Sequence, residues 1–173
     1  ETERSAPSGT GYARMLADLN GCADRDALTR LACQAVRRET GYDRVMLYQF
    51  SPDGHGVVLA EDRRPDLVSY LGQHYPESDI PAQARALYLR NRVRVLTDVR
   101  YQPVPLVPHL RVRGGRPLDM SLCALRALSP VHRQYLENMG VRATLVASII
   151  IAGRLWGLIA CHHHTPKAPS AET

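Results

Sequence analysis

Three adjacent histidines, His162 to His164, and a further histidine at His132 are the residues best suited to bind a metal or transfer a proton. The three follow an apolar segment that is predicted to be a strand, and adjacent side chains on a strand point to opposite faces. They therefore do not converge on one ion. The sequence also contains neither an HExxH motif nor paired cysteines and histidines at zinc-site spacing. We predict no metal site.

Charged side chains stand close to segments that are predicted to be buried. Asp79 lies two residues before Pro81, and an aspartate at a helix start is commonly a cap. Arg94 lies in a predicted strand, and Arg126 lies just before a predicted helix. A surface position explains each arginine taken singly. If they face inward they need an anionic partner, because a buried unpaired charge is strongly destabilising and an anionic ligand supplies charge-assisted hydrogen bonds.

The cysteines offer nucleophilic or redox chemistry, but no two of them form a CxxC pair. The N-terminus is charged and polar and does not resemble an export signal, so we expect reduced thiols, mostly buried. The sequence contains no GxGxxG, P-loop or GxSxG element and no convincing nucleophile–base pair, and it therefore does not predict an enzyme. The cysteines are Cys22, Cys33, Cys123 and Cys161.

Hydrophobic periodicity predicts the helices and strands that must position these side chains. Asp24 is predicted to cap a helix that ends at Thr40-Gly41, and turns at Asp53-Gly54 and Ala152-Gly153 are predicted to close two β-hairpins. This order of elements indicates an α+β fold with an antiparallel sheet. Further helices are predicted at 11–20, 65–71, 81–91 and 129–138, strands at 44–50, 57–61, 92–97, 143–151 and 155–161, and a long loop at 98–120.

Composition limits the class of protein. The chain has 173 residues, 45% of them apolar and 23% charged, which fits one soluble domain with its own core. It has no apolar run long enough to span a membrane, and we expect a cytoplasmic protein. The net charge of +5 comes almost entirely from arginine, since Lys167 is the single lysine. The arginines are scattered, so we predict a solvated surface or an anionic small-molecule ligand rather than nucleic acid.

Four segments of the chain together resemble one family. In chain order they are YDRVMLYQF, YPESDIPAQARALYLRN, LRALSPVHRQYLENMGV and GRLWGLIACHHHTP. They resemble the chromophore-binding GAF domain of phytochromes, and within it the bacterial branch that binds biliverdin. The resemblance covers about residues 25–166, and we assign a flexible tail at 1–10, a GAF domain at 11–166 and a C-terminal tail at 167–173. It implies an α+β fold whose central antiparallel β-sheet is flanked by helices, with a linear tetrapyrrole between them.

The resemblance also implies roles for individual side chains in holding biliverdin. Asp79 accepts pyrrole N–H hydrogen bonds through its backbone carbonyl, with Ile80 and Pro81 packed against the rings. His132 lies near the inner rings, and His162 hydrogen-bonds the D-ring carbonyl. Two arginines suit a ligand with two carboxylates. An aromatic wall around the D ring is formed by Tyr48, Tyr75 and Tyr135, and a propionate clamp by Arg94, Arg126, Tyr88 and Ser129.

The sequence departs from the family at three places. Val131 stands where plant-type members have the cysteine that attaches the chromophore, and the PAS domain that carries the usual bacterial cysteine is not part of this chain. Cys123 is the remaining candidate for covalent attachment, and a buried inert thiol is the alternative. The run ATLVAS keeps one hydroxyl for a propionate at Thr144 but has Val146 where the family often has serine. The chain also stops before the family's long helix, so we expect an exposed apolar face and a homodimer.

The resemblance therefore predicts a red/far-red light-sensing or near-infrared fluorescent domain, in which the D ring photoisomerises or, if restrained, emits. The parent protein is expected to carry PAS, PHY and output domains. Two other functions stay open. One is a GAF module that binds a cyclic nucleotide for regulation and dimerisation, and the other is an enzyme that uses the histidines with a metal. Mixing the protein with biliverdin distinguishes among all three.

Overall fold

The computed structural model describes residues 9–108, 115–123 and 126–169. The parts of the two predicted tails at 1–8 and 170–173 lie outside the described residues, and the domain limits at 11 and 166 stay predictions. Within the described ranges, no helix is long and apolar enough to cross a membrane.

One helix is capped at both ends by its flanking residues. α2 (Arg25–Thr40) follows Asp24, whose side chain accepts a hydrogen bond from the Ala27 amide at 2.7 Å, as the sequence predicts. It ends at Gly41, which adopts the left-handed conformation with φ 66°. α1 begins earlier than the predicted start at residue 11. The other helices of the described residues are α1 (Gly9–Asn20), a 3-10 helix (Glu77–Asp79), α3 (Ala82–Arg90) and α4 (Pro130–Asn138).

The strands of the described residues form one antiparallel sheet of order β3-β2-β1-β6-β5-β4. Two hairpins, β1–β2 and β5–β6, lie side by side in its centre. The register places His162 of β6 beside Arg44 of β1 on one side and Thr144 of β5 on the other. The sheet confirms the predicted α+β fold. The strands are β1 (Arg44–Phe50), β2 (Gly56–Arg63), β3 (His74–Tyr75), β4 (Val93–Leu96), β5 (Ala143–Ile151) and β6 (Arg154–His163).

The two faces of the sheet pack against different parts of the chain. Because side chains alternate along a strand, β1 directs Val45 and Leu47 to one face and Met46 and Tyr48 to the other. α2 covers the first face at β1 and β2. The second face packs against the segment that precedes α3 and against α3 itself, through Ile80 and Tyr88. The core under α2 consists of Cys33, Tyr42, Val45, Leu47, Ala60 and Cys161.

The segment 65–71 does not form the predicted helix and is built of turns instead. Buried charges of β1 and β2 hold its backbone. The Arg44 guanidinium donates to the Val68 carbonyl at 2.6 Å, and Glu61 accepts a hydrogen bond from the Tyr70 amide at 3.2 Å. These tertiary hydrogen bonds replace the helical ones that an opening proline favours. The chain continues into β3 and the 3-10 helix, which the sequence analysis did not predict.

Two turns and one loop complete the framework. In the β1–β2 turn the Gly54 amide donates to the Ser51 carbonyl at 3.0 Å, so the turn is centred one residue earlier than predicted. The β5–β6 turn is at Ala152-Gly153 as predicted, with positive φ angles of 48° and 74°. The described residues of 98–120 form no helix and only one isolated bridge, in agreement with the predicted loop.

Candidate functional site

A cavity of about 760 Å³, including its open mouth, lies on the face of the sheet opposite α2. Its floor comes from β1, β2, β5 and β6, and its walls come from α3, α4 and the segment that joins β3 to α3. Half of the lining side chains are aliphatic or methionine and a further quarter are tyrosines, so the lining is largely hydrophobic, as in small-molecule sites generally. The polar side chains and tyrosines that line it are Tyr48, Tyr75, Asp79, Tyr88, His132, Tyr135, Thr144 and His162.

A second cavity of about 1240 Å³, again including its opening, adjoins the first. Its lining adds Arg94 of β4 together with Arg126 and Ser129 from the segment before α4. The first cavity is therefore apolar and enclosed by tyrosines, whereas the second carries two guanidinium groups. The residues that line both are Asp79, Ile80, Tyr88, His132, Thr144 and Val146.

The two cavities bring together nearly all of the side chains that the sequence singles out. Pro81 and Cys123 are the exceptions, because neither is among the lining residues of the two cavities. Pro81 is the N-cap residue of α3. Cys123 is half-buried in a turn, where its amide donates to the Met120 carbonyl at 2.9 Å. The structure thus places Pro81 at a helix start rather than in the cavity wall.

His162 is buried in the floor of the first cavity, with 9% of its surface exposed. Burial lowers its pKa to about 3, and the positive Arg44 beside it acts in the same direction. The imidazole is therefore neutral at physiological pH. Its Nδ1 is buried and has no hydrogen-bond partner among the described residues. A buried ring nitrogen without a partner is uncommon, and it leaves this cavity-lining residue with an unused hydrogen-bonding group.

The other histidines do not share this position. His163 and His164 turn to Asp43, and their Nδ1 atoms lie 3.1 Å and 3.0 Å from the same carboxylate oxygen. His132 of α4 stacks on Tyr135 with ring centroids 6.2 Å apart, and burial lowers its pKa. Among the residues that the structure describes, no cluster of three or more histidine, cysteine or acidic side chains is arranged to hold a metal ion.

Tyrosines enclose the part of the cavity above β1. Burial raises the pKa of Tyr48 and Tyr135 to about 12 and also raises that of Tyr75 and Tyr88, so all four remain phenols. The rings of Tyr48 and Tyr75 lie 6.0 Å apart. Gly56 of β2 lies under Tyr48, and a Cβ there would overlap the tyrosine ring. The position of this wall therefore depends on a glycine.

Asp79 lies exposed at the mouth shared by the two cavities. It is not the helix cap that its local sequence suggests, because α3 has Pro81 as N-cap and no side-chain cap. Its negative charge contributes to raising the pKa of Tyr48, Tyr75 and Tyr135, which shows that these side chains share one environment.

The two arginines of the second cavity have no acidic partner within the described part of the chain. Arg126 donates from Nη1 to the Ser121 carbonyl at 2.8 Å. Arg94 has a buried Nε without a hydrogen-bond partner. Several arginines elsewhere in the described residues do form ion pairs, as Arg142 does with Asp98 at 2.8 Å. Two guanidinium groups that line one cavity and form no ion pair within the described residues are suited to an anionic ligand.

The cysteines differ in accessibility. Cys33 and Cys161 are buried in the core under α2, and burial raises the pKa of both thiols to about 12. Cys22 and Cys123 are half-buried, so the expectation of mostly buried thiols is right for two of the four. A thiol with a raised pKa is a poor nucleophile, which leaves Cys22 and Cys123 as the accessible thiols.

The sequence analysis missed most of the apolar lining and one charged neighbour of the site. Alternation along β1 was the signal for the lining, because it places Met46 on the same face as Tyr48. No local signal pointed to Arg44, which stands beside His162 only because β1 and β6 pair in this register. The apolar lining residues that were missed include Met46, Val58, Leu136, Met139, Leu158 and Ala160.

The fold and the cavity define a GAF domain, and a GAF-domain family profile matches residues 24–173, so the chain belongs to this family. Within it, the chain is similar to bacteriophytochromes. It is 56% identical over 141 residues to the bacteriophytochrome of Xanthomonas campestris, covering 82% of this chain and 22% of that protein. It is 49% identical over 154 residues to the bacteriophytochrome of Pseudomonas aeruginosa, covering 89% of this chain and 21% of that protein.

A solved structure gives the same result. The chromophore-binding domain of an unusual bacteriophytochrome from R. palustris matches with a TM-score of 0.88 and 44% identity, over 95% of this chain and 57% of that one. These similarities confirm the resemblance that the four sequence segments indicated. The chain spans about a fifth of the length of the curated relatives, 22% and 21% of the two named above.

Proposed function

We propose that this GAF domain binds a bilin, specifically biliverdin, and acts as the red/far-red light-sensing or near-infrared fluorescent part of a bacteriophytochrome-type photoreceptor. One observation carries the proposal: an apolar cavity lined by His162, whose buried Nδ1 has no partner among the described residues, adjoins a second cavity lined by two arginines that form no ion pair with those residues. A bilin is long, largely apolar and conjugated, and it has two carboxylates near its middle. The similarity to bacteriophytochromes supports the same assignment.

The residues of the second cavity fit the carboxylates of biliverdin. Arg94 and Arg126 would each offer a planar fork of donors to a propionate. Ser129 and Thr144 would add hydroxyl donors, and Thr144 lies beside His162 on the floor. Val146 lines both cavities and has no hydrogen-bond donor. A propionate placed next to Thr144 would therefore have fewer hydrogen-bond partners than a propionate placed next to an arginine.

The residues of the first cavity fit the ring system. Bound biliverdin would supply the absorption of red light and the double bond whose isomerisation turns the D ring. His162, neutral and buried, would hydrogen-bond the D-ring carbonyl, and the phenols of Tyr48, Tyr75 and Tyr135 would enclose that ring. Asp79 lies at the mouth, and its backbone carbonyl would accept hydrogen bonds from pyrrole N–H groups. His132, which lines both cavities, would sit near the inner rings.

Cys123 is our candidate for covalent attachment. Cys33 and Cys161 are buried under α2, on the other face of the sheet, and Cys22 follows α1. In such an attachment the S–H bond adds across a vinyl double bond of the ligand: sulfur bonds to one carbon, the proton goes to the other, and nothing leaves. Because Cys123 does not line either cavity, we expect noncovalent binding to precede attachment.

Other aspects of the function follow from the relatives. Since the chain spans about a fifth of their length and matches a chromophore-binding domain, we propose a cytoplasmic parent protein with PAS, PHY and output domains. In this proposal the GAF domain itself is not an enzyme and binds neither nucleic acid nor membrane. The expected homodimer would form on the α2 side of the sheet, through the part at β5 and β6 that α2 does not cover.

The deciding experiment is a titration of the purified chain with biliverdin, followed by absorption spectroscopy. We expect an intense, narrow red band at one equivalent, which disappears when the protein is denatured in acid and urea. Phycocyanobilin in a parallel titration tests whether the site prefers biliverdin among bilins. Cyclic AMP and cyclic GMP, measured by calorimetry, test the competing ligand class. An unchanged biliverdin spectrum at one equivalent would refute the proposal.

A further inference from the structure

Three segments meet at the side chain of Arg85 in α3. Its Nη1 donates hydrogen bonds to the Ile80 carbonyl at 3.0 Å and to the Gly54 carbonyl at 3.1 Å. Its Nη2 forms an ion pair with Glu77. Gly54 belongs to the β1–β2 turn, whereas Glu77 and Ile80 lie on either side of Asp79. A single guanidinium therefore joins the hairpin turn to the segment that carries Asp79.

The segment that carries Asp79 has few hydrogen bonds of its own. The 3-10 helix is one short turn, closed by the Asp79 amide donating to the Pro76 carbonyl at 3.1 Å. The preceding strand β3 is only two residues long and stands at the edge of the sheet. The following helix begins at Pro81 without a side-chain cap. Arg85 thus supplies support that the local backbone lacks.

Gly54 packs directly against the same segment. It has φ 91°, and a Cβ built on it would lie 2.7 Å from Cδ of Glu77. A larger residue at this position would have to displace the Glu77 carboxylate, which Arg85 holds. Both the backbone conformation and the close approach therefore favour glycine.

The same pairing leaves the Asp79 carboxylate available. The Arg85 guanidinium forms its ion pair with Glu77 and not with Asp79. Asp79 keeps its place between Glu77 and Ile80, both of which are tied to Arg85, and its side chain reaches the mouth of the two cavities.

We propose that Arg85 is a positioning residue for Asp79, and that through Arg85 the β1–β2 turn forms part of the support of the ligand site. The inference rests on the proposed function, because the position of Asp79 matters if the cavities hold a bilin. Its tests therefore include a measurement on the protein without ligand.

Hydrogen–deuterium exchange of the ligand-free protein tests the support directly. In Arg85→Met we expect residues 76–81 to exchange about tenfold faster, because a fork of charge-assisted hydrogen bonds is lost. Arg85→Lys should restore part of the protection, since it keeps the charge but not the fork. Arg37→Met is the matched control: Arg37 pairs with Asp62 at 3.3 Å on the opposite face of the sheet. Equal exchange of 76–81 in the Arg85→Met and Arg37→Met proteins overturns the proposal.

A pair of glycine variants tests the role of the turn. Gly54→Ala and Gly153→Ala both place a side chain in a turn with positive φ, but a Cβ at Gly153 has nothing within 4 Å. Backbone strain is therefore common to both, and displacement of Glu77 is specific to the first. We expect Gly54→Ala to reproduce the exchange pattern of Arg85→Met and Gly153→Ala to leave 76–81 protected. If residues 76–81 exchange equally fast in the Gly54→Ala and Gly153→Ala proteins, the β1–β2 turn does not support the Asp79 segment.

Biliverdin titrations connect the support to the site. We expect Arg85→Met to weaken binding about tenfold, equivalent to about 1.4 kcal/mol, and to broaden the red band, with partial rescue in Arg85→Lys. Wild-type affinity and band shape in Arg85→Met would show that the support does not reach the ligand, and would overturn the inference. If the unaltered protein forms no red band while the exchange differences hold, the proposed function fails and the positioning of Asp79 stands.

Discussion

The buried neutral state of His162 should make folding stability depend on pH in a way that one substitution removes. Its pKa is lowered from 6.5 to about 3 in the folded protein, so below pH 6.5 the unfolded chain binds a proton that the folded chain does not. The free energy of unfolding therefore decreases as the pH falls below 6.5, because only the unfolded chain takes up this proton. The decrease stops near pH 3, where the folded chain takes it up as well.

The size of the effect follows from the same two values. Between pH 7 and pH 4.5 the unfolded histidine becomes almost fully protonated while the folded one stays neutral, and linkage gives a loss of about 2–3 kcal/mol from this residue. Carboxylates also titrate in this range, but they contribute to the wild type and to a His162 variant alike. The comparison of the two therefore isolates the histidine.

Urea unfolding at pH 7 and pH 4.5, on the wild type and on His162→Gln, measures this difference. We expect the wild type to lose about 2–3 kcal/mol more than His162→Gln over the interval. His74→Gln, at an exposed histidine on β3, is the control and should keep the pH dependence of the wild type. If His162→Gln and the wild type lose the same free energy, the imidazole is not held neutral, and its proposed role as a neutral hydrogen-bonding group fails.

Three further predictions concern the walls and mouth of the site. Replacing Arg94 or Arg126 by methionine should weaken biliverdin binding about tenfold, because each variant loses charge-assisted hydrogen bonds to a carboxylate. Biliverdin dimethyl ester has no such carboxylate, so its affinity should be the same for the variants and the wild type. An equal loss of affinity for both ligands would contradict the proposed propionate clamp. Cys123→Ser should abolish zinc-induced fluorescence of the denatured complex while the red band persists, and survival of that signal would point to another cysteine. Gly56→Ala should reduce stability by about 1–3 kcal/mol in urea unfolding, because the new methyl group must displace Tyr48; unchanged stability would show that the ring moves freely.

Local sequence patterns predicted the elements whose stabilising contacts are themselves local. The cap at Asp24 and the glycine at 41 define α2, and alternation together with the Ala152-Gly153 turn defines the second hairpin. At 65–71 the same reasoning fails, because Arg44 and Glu61 bind this backbone from distant strands. Tertiary hydrogen bonds outweighed a local preference there.

The sequence by itself determined the family and most of the polar and tyrosine side chains that line the two cavities, because four ordered segments carry a pattern specific enough to recognise. The tertiary structure decided which of the three adjacent histidines lines the cavity: His162 lies in its floor, and its two neighbours turn to Asp43. It also decided that Arg94 and Arg126 find no acidic partner in the described part of the chain, and that Arg85 ties a hairpin turn to the Asp79 segment. The physical reason is the same in each case. Burial and charge pairing depend on strand register and on contacts between distant segments, and a linear sequence records the residue types but not these neighbours.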